Sequence, residues 1–118
     1  FGPWEAEWGR AAARLLLNDG AAFDAVICQN DVLARGCIEE LERNGCRVPQ
    51  DVAVIGHDNS PDYVSYAHPL LTSIDDNNEM LGRQAALCLL DAIAGHPHHG
   101  VERVPVKLIQ RESTLPLD

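Results

Sequence analysis

The sequence predicts an α/β fold with a mainly parallel sheet. Short apolar runs alternate along the chain with longer amphipathic segments. The intervening segments are long enough for the helices of right-handed βαβ connections. The run over residues 52–55 is continuous and β-branched, which is typical of a strand covered on both faces. With 118 residues, the chain is long enough for one domain, which we expect as a three-layer α/β/α arrangement.

The first half of the chain predicts two helices and two strands. A first helix, with apolar residues at helical spacing, ends near Gly20. A buried strand is expected over residues 23–28. Asn30 is suited to cap the second helix, which ends at Gly45. The second strand covers residues 52–55.

The second half predicts two strands separated by a long helix. Residues 58–69 are polar and interrupted by prolines, which indicates a loop with at most a short helix. A third strand is expected over residues 71–74, followed by an amphipathic helix over residues 77–94. A histidine-rich loop over residues 96–100 then leads to a last strand over residues 104–109.

Composition and charge restrict the function classes. The formal net charge is −9 and no basic cluster is present, so this chain alone is not expected to bind DNA. The four cysteines form no C-x-x-C pair, so a zinc knuckle is not expected. Cys28, Cys37 and Cys88 fall in strand-like or helix-like runs and are expected as small buried hydrophobes. No disulfide framework is therefore predicted, which favours a reducing, cytoplasmic setting. No signal peptide is recognisable, and no apolar run reaches the roughly 20 residues needed to cross a membrane.

Two polar segments directly follow predicted strands, and both are candidates for ligand binding. Asn30 follows the first strand and Asp58 follows the second. Ligands of open parallel sheets bind beyond the carboxyl ends of the strands, so these side chains are expected on one rim. An amide and a carboxylate together suit a polyhydroxylated ligand. A structural interpretation stays open, in which Asn30 caps a helix and Asp58 forms a turn.

Other candidate positions have structural explanations as well. Trp4, at the head of the first helix, suits either stacking on a sugar or base or partial burial in the core. The loop over residues 96–100 has no cysteine or acidic residue in a fixed metal-ligand pattern, so no metal site is predicted. Asp75 and Asp76 are consecutive and need not converge as a catalytic pair. No phosphate-binding loop, nucleophile elbow or dinucleotide fingerprint occurs, so we predict no catalytic residue and no cofactor.

Five blocks of sequence resemble LacI/GalR-family bacterial transcription regulators. Residues 30–36 are similar to the pattern N-D-x-x-A-x-G, and residues 45–59 to G-x-x-V-P-x-D followed by an apolar strand and G-aromatic-D. Residues 69–74 resemble a P-x-L-T block, and residues 82–86 and 108–114 resemble two later blocks. The blocks occur in order over nearly the whole chain, which makes their combination highly specific.

The resemblance implies one lobe of a periplasmic-binding-protein-like (type I) fold, with a ligand cleft between this lobe and a second one. The cleft residues that it implies are Trp4, Asn30, Asp58 and Asp76. The effector is expected to be a small molecule, a sugar or a related polar compound. The resemblance also implies a cytoplasmic homodimer, with Arg35 and Tyr66 at the interface, and operator DNA bound by an N-terminal helix-turn-helix outside this chain. No membrane association is expected.

Two positions depart from the pattern of the resembled family. His57 stands where an aromatic residue is usual, which leaves the packing under the cleft open. Asp76 stands where glutamine or another polar group is frequent, which leaves its contact with the ligand open.

The sequence leaves two binding functions open. The first is the effector-sensing part of a LacI-type regulator, in which cleft occupancy changes operator binding. The alternative is a sugar-binding protein of a transport system, which shares the fold but requires an export signal. An enzyme is not expected.

The long helix is expected to belong to a different lobe from the rest of the chain. The resemblance implies that residues 1–118 form the carboxy-terminal lobe, except that residues 77–104 belong to the amino-terminal lobe. The chain would cross between the lobes near Asp76 and return near Pro105. Without that second lobe, the apolar face of the helix lacks its partner. We therefore expect the helix to pack on its own lobe or on another copy of the chain.

Overall fold

The computed structural model describes residues 4–20 and 22–114. It contains α1 (Ala6–Asn18), β1 (Ala25–Ile27), α2 (Asp31–Arg43), β2 (Ala53–His57), α3 (Pro61–Val64), β3 (Thr72–Asp75), α4 (Asn78–Ile93) and β4 (Lys107–Ile109). The predicted α/β class is confirmed, and each predicted helix and strand is present. Most elements are shorter than expected, but β2 extends two residues further, to His57, and β3 is shifted by one residue. The predicted loop before β3 includes the short helix α3.

The four strands form one mixed sheet in the order β1-β2-β3-β4. The first three are parallel, with Ala25 opposite Ala53 and Ile55 opposite Thr72. The last strand is antiparallel to β3, with Asp75 opposite Lys107. The carboxyl ends of β1, β2 and β3 therefore meet at the same edge of the sheet, which we call the rim.

The helices α1 and α2 pack closely because each has a glycine that faces the backbone of the other helix. A Cβ atom on Gly9 would lie 2.2 Å from the carbonyl oxygen of Leu33, and one on Gly36 would lie 1.9 Å from that of Ala6. Both distances are far below van der Waals contact, so only glycine allows this separation. The amphipathic α2 buries Ala34, Cys37, Ile38 and Leu41.

The core lies between α2 and the sheet. Its fully buried residues include Leu41 from α2, Val54 from β2 and Leu71 just before β3. We call the described residues of the ranges 6–75 and 107–114 the lobe, because their helices and strands share this core.

The segment after β4 is tied into the sheet by one buried serine. The Ser113 hydroxyl donates to the carbonyl of Val54 at 2.6 Å and accepts from the amide of Thr72 at 2.8 Å. The amide of Val54 in turn donates to the carbonyl of Ser113 at 2.8 Å. These bonds connect β2, the start of β3 and the end of the described chain.

The helix α4 belongs to an arm, residues 78–106, that projects from the lobe. No residue of α4 is buried, and its exposed apolar side chains include Leu81, Leu89, Leu90 and Ile93. The described chain accordingly measures 60 × 35 × 25 Å. At the base of the arm, the Asp75 carboxylate accepts from the amide of Asn77 at 2.8 Å, and Asn77 adopts a left-handed φ of 55°. The chain therefore turns away from the sheet before α4 begins.

This geometry corrects one expectation from the sequence. The helix does not fold back onto its own lobe, because the turn at Asn77 directs it away and its apolar face stays exposed. The other expectation, that α4 packs on another copy of the chain, stays a prediction.

Candidate functional site

The rim gathers polar residues that follow three neighbouring strands. Asn30 comes three residues after Ile27, and Asp58 comes three residues after Ile55, which is paired with Ile27 in the sheet. Asp76 directly follows β3. The sheet topology therefore brings these three candidates to the same edge, where ligands of parallel α/β sheets bind.

Asn30 caps α2, as its structural interpretation held. Its side-chain oxygen accepts from the amide of Leu33 at 2.9 Å, and the residue is only 9% exposed. The cap uses only the side-chain oxygen, and the NH2 group of the same amide takes no part in it. The side chain can therefore position the start of α2 and still offer a hydrogen-bond donor at the rim.

Asp58 adopts an unusual backbone conformation just after the end of β2. Its φ is 96° and that of Asn59 is 49°, whereas residues with a side chain rarely adopt positive φ. The Asp58 amide donates to the carbonyl of Ile74 at 2.9 Å, which fixes the turn against β3. Strained backbone of this kind is concentrated at ligand-binding sites. The carboxylate itself is half-exposed at the rim.

His57 links two of the candidate carboxylates. Its Nδ1 lies 3.3 Å from a carboxylate oxygen of Asp58, and its Nε2 lies 3.3 Å from one of Asp76. The imidazole therefore occupies the space between the ends of β2 and β3. His57 stands where the resembled family usually has an aromatic residue. It therefore places a polar ring, able to donate and accept hydrogen bonds, next to both carboxylates.

The residue that supports this edge from below is Asp31, whose role the sequence interpretation missed. Its carboxylate is 1% exposed and accepts from the Ser73 hydroxyl at 2.6 Å and from the Ser60 amide at 2.7 Å. Burial raises the pKa of Asp31, although these two hydrogen bonds oppose the shift. A Cβ atom on Gly56 would lie 2.2 Å from an Asp31 oxygen, so the glycine leaves room for the carboxylate.

A second network joins the rim to the end of the chain. The Arg111 guanidinium donates to the side-chain oxygen of Asn59 and to the carbonyl of Leu71, both at 2.8 Å. The amide of Asn59 donates to the Ser73 hydroxyl at 3.0 Å, and its side-chain nitrogen donates to Asp75 at 3.3 Å. These bonds fix the residue that follows Asp58. In the sequence, this network is indicated only by the Asp58-Asn59 pair and by the block that contains Arg111. Neither segment shows that it contacts the other.

The two tryptophans lie outside this network. Trp4 precedes α1 and is 63% exposed, so the interpretation as partial core burial is not supported by this chain. Trp8 is 42% exposed and lines an apolar groove of about 550 Å³ between α1 and β1. The groove is lined by other residues than Trp4, Asn30, Asp58 and Asp76.

Arg35 and Tyr66, both expected at a dimer interface, have different surroundings. Arg35 is 3% exposed; its guanidinium donates to the carbonyls of Tyr63 and Pro69 and lies 5.1 Å from the centre of the Tyr66 ring. Tyr66 itself is 59% exposed and contacts Tyr63 edge-to-face at 6.4 Å. Arg35 therefore anchors the loop inside the lobe, and Tyr66 is the member of the pair that reaches solvent.

Side chains able to bind a metal come together in two places among the described residues. One group is His57, Asp58 and Asp76 at the rim, and the other is Cys88, His98 and Glu102 on the arm. The sequence interpretation predicted no metal at the histidine-rich loop because it found no cysteine or acidic residue in a suitable pattern. The structure corrects that reason, since the chain reversal after α4 brings Cys88 and Glu102 next to His98.

The fold agrees with the comparison to known families. The family described as periplasmic binding protein-like domain matches residues 3–114. The chain belongs to this family. The LacI/GalR resemblance is confirmed as well, because the curated relatives that match this periplasmic binding protein-like domain are regulators of that type.

Three relatives illustrate the match. The HTH-type transcriptional regulator CelR of Thermobifida fusca is 36% identical over 114 residues, which cover 96% of this chain and 33% of the relative. A structure of a CelR–cellobiose complex superposes with a TM-score of 0.81 at 36% identity, covering 95% of this chain and 34% of that one. A Lac repressor dimer bound to operator and the anti-inducer ONPF superposes with a TM-score of 0.89 at 32% identity, covering 98% of this chain and 40% of that one.

The periplasmic binding protein-like domain described here spans about a third of the length of the curated relatives it matches. Among its described residues, no helix combines the length and the apolar character needed to cross a membrane.

Proposed function

We propose that this domain is the effector-sensing part of a LacI-type transcription regulator. A small polyhydroxylated molecule, a sugar in the first instance, binds at the rim in a cleft shared with a second lobe. Binding changes the geometry between the lobes and thereby the affinity of the intact protein for its operator, because the two geometries differ in ligand affinity. The observation that carries the proposal is the set of polar groups at the carboxyl edge of three parallel strands.

The chemistry of the rim supports a neutral, hydroxyl-rich ligand. Asp58 offers a half-exposed carboxylate that can accept hydrogen bonds from two hydroxyls, and the Asn30 side chain offers a donor. The networks around Asp31 and Arg111 hold both segments in place before a ligand arrives. Trp4 is exposed and supplies an aromatic face suited to stacking on a sugar ring.

The relatives favour a regulator over the transport protein that the sequence left open. One matching structure is a complex of a transcriptional regulator with cellobiose, and another contains operator DNA. The net charge of −9 argues against DNA contact by this domain, so a helix-turn-helix elsewhere in the intact protein would bind the operator. A cytoplasmic location and the lack of enzymatic activity are part of the same proposal.

The arm is proposed to belong to the second lobe. Asp75 and Lys107 are paired where the arm leaves and rejoins the sheet, so the chain crosses twice at one place. The exposed apolar residues of α4 are consistent with a surface that another sheet covers. Two adjacent crossings at the rim would form a hinge beside the ligand.

The intact protein is proposed to be a homodimer in which Tyr66 lies at the interface. Aromatic residues are enriched at the centres of protein interfaces, and Arg35 holds the loop of Tyr66 from below. One matching structure is a dimer of the Lac repressor.

Ligand titration of the complete gene product tests the sensing role. Thermal-shift measurements with neutral mono- and disaccharides, cellobiose included, and with nucleosides identify the ligand class. Calorimetry then compares the wild type with Asp58→Asn, which keeps the shape of the side chain and removes its charge. We expect the variant to bind about 10- to 100-fold more weakly, the range for losing a hydrogen bond to a charged group.

A matched control is Asp62→Asn, which removes an exposed carboxylate on α3. This variant should bind the ligand like the wild type. Unchanged affinity in Asp58→Asn would overturn the assigned role of Asp58. A full-length protein that binds its operator but responds to no ligand of these classes would overturn the sensing role itself.

A further inference from the structure

A group of metal-ligating side chains lies on the arm, away from the rim. The Cys88 sulfur, a ring nitrogen of His98 and a carboxylate oxygen of Glu102 all lie within 4.8 Å of one another. Cys88 is ten residues from the start of α4, so the group lies about 15 Å along the helix from the end that adjoins the rim.

The backbone brings these three residues together by reversing direction after α4. Gly95 adopts a φ of 89°, and the amide of His96 donates to the carbonyl of Asp91 at 2.9 Å. Gly100 provides a second left-handed position, with φ of 94°, between His98 and Glu102. The returning chain therefore runs back past the last turns of the helix.

The histidine is already oriented by a carboxylate outside the group. The Nε2 atom of His98 lies 2.8 Å from a carboxylate oxygen of Asp91, whereas Nδ1 lies 3.0 Å from Glu102. Metal-binding histidines commonly donate their second ring nitrogen to a carboxylate, which fixes the tautomer and the ring direction. Asp91 is one helical turn from Cys88, so both belong to the same face of α4.

The rim group of His57, Asp58 and Asp76 lacks this arrangement. There both ring nitrogens contact carboxylates of the group itself, and no further residue among those described orients the ring. The rim group also contains no sulfur ligand. The arm is therefore the better candidate for a metal ion.

We propose that Cys88, His98 and Glu102 form a binding site for a divalent cation of borderline softness, such as Zn²⁺. A thiolate, an imidazole nitrogen and a carboxylate are the three ligand types that Zn²⁺ takes from proteins. Three protein ligands leave a fourth position for water. All three side chains are at least partly accessible, so the ion can enter from solvent. The ion would clamp the returning chain to α4.

The site can be tested with Co²⁺ as a spectroscopic probe in the complete gene product, after treatment with a chelator and a phosphine reductant. We expect one Co²⁺ per chain, with sulfur-to-cobalt charge-transfer absorption in the near ultraviolet that Zn²⁺ abolishes by competition. Cys88→Ser should lose the charge-transfer band. Asp91→Asn should keep the band and bind about 10- to 100-fold more weakly, because it removes only the orienting carboxylate.

Matched controls separate this site from adventitious binding. Cys46→Ser removes another partly buried cysteine, and His99→Asn removes an exposed imidazole from the same loop. Both should bind Co²⁺ like the wild type, with circular dichroism showing that every variant is folded. The proposal is overturned if the wild type shows no charge-transfer band at excess Co²⁺, if the band persists in Cys88→Ser, or if Cys46→Ser removes it.

Discussion

The lobe and the arm each contain a regular, apolar-rich helix, yet only the lobe buries one. In α2, eight of thirteen residues are buried, including Asp31 and Arg35. In the sixteen residues of α4, none is buried. In the lobe, α2 is covered by α1 and by the sheet, whereas α4 depends on its own backbone hydrogen bonds. Apolar spacing therefore predicts a helix but does not identify the surface that covers it.

The largest expected contrast between the two regions comes from truncating a leucine in each. Leu41 is fully buried and Leu89 is 62% exposed. In the 118-residue chain, Leu41→Ala should lower the free energy of unfolding by about 2–5 kcal/mol, because it leaves a cavity. Leu89→Ala should change it by less than about 0.5 kcal/mol. Urea denaturation followed by circular dichroism measures both.

The same two variants also test the proposal that a second lobe covers α4. If a second lobe covers α4 in the complete gene product, Leu89→Ala should cost about 1 kcal/mol or more there, since burial of a leucine is worth more than that. Equal costs for the two variants in the 118-residue chain would contradict the division into lobe and arm.

A second contrast uses the same substitution with opposite signs. Gly36→Ala places a Cβ atom 1.9 Å from the Ala6 carbonyl oxygen and should cost about 1–3 kcal/mol or more by separating α1 from α2. At Gly82 an added Cβ atom would meet no described atom within 4 Å, so Gly82→Ala should stabilise α4 by about 0.5–1 kcal/mol, because alanine loses less backbone entropy in a helix. Melting temperature reports the first, and amide hydrogen exchange within α4 reports the second. A tolerated Gly36→Ala would show that the helices are not in contact.

The smallest expected effect concerns an exposed ion pair of the lobe. Arg47 donates to Asp51 through its guanidinium and its backbone amide, and these bonds lower the pKa of Asp51 from 3.8 to about 2. A lowered folded-state pKa means that the pair stabilises the fold above about pH 4 and that this contribution disappears as the pH falls towards 2. The Asp51→Asn variant should therefore be slightly less stable than the wild type at pH 7, and this difference should shrink as the pH falls from 4 to 2 and vanish only below pH 2. A stability difference that is independent of pH over this range would argue against the pair.

The sequence predicted the elements of the lobe because their signals are local. The β-branched run of β2, the Asn30 cap and the apolar face of α2 each lie within a few residues, and each is found in the structure. The rim also followed from the sequence, since parallel strands must end at one edge. The bounds of the strands were less well predicted, because pairing with neighbours decides where a strand stops.

The order of helices and strands, the apolar face of α2 and the polar segments that follow the strands could all be predicted from the sequence, because each depends on residues that are close together in the chain. Which distant side chains meet depends on the tertiary structure. Asp31 bonds to Ser73, 42 residues away, and Arg111 to Asn59, 52 residues away, because the strand order brings them together. Cys88, His98 and Glu102 converge only through the reversal after α4. Local spacing fixes backbone conformation, but the meeting of side chains depends on how the elements pack, and no short segment carries that information.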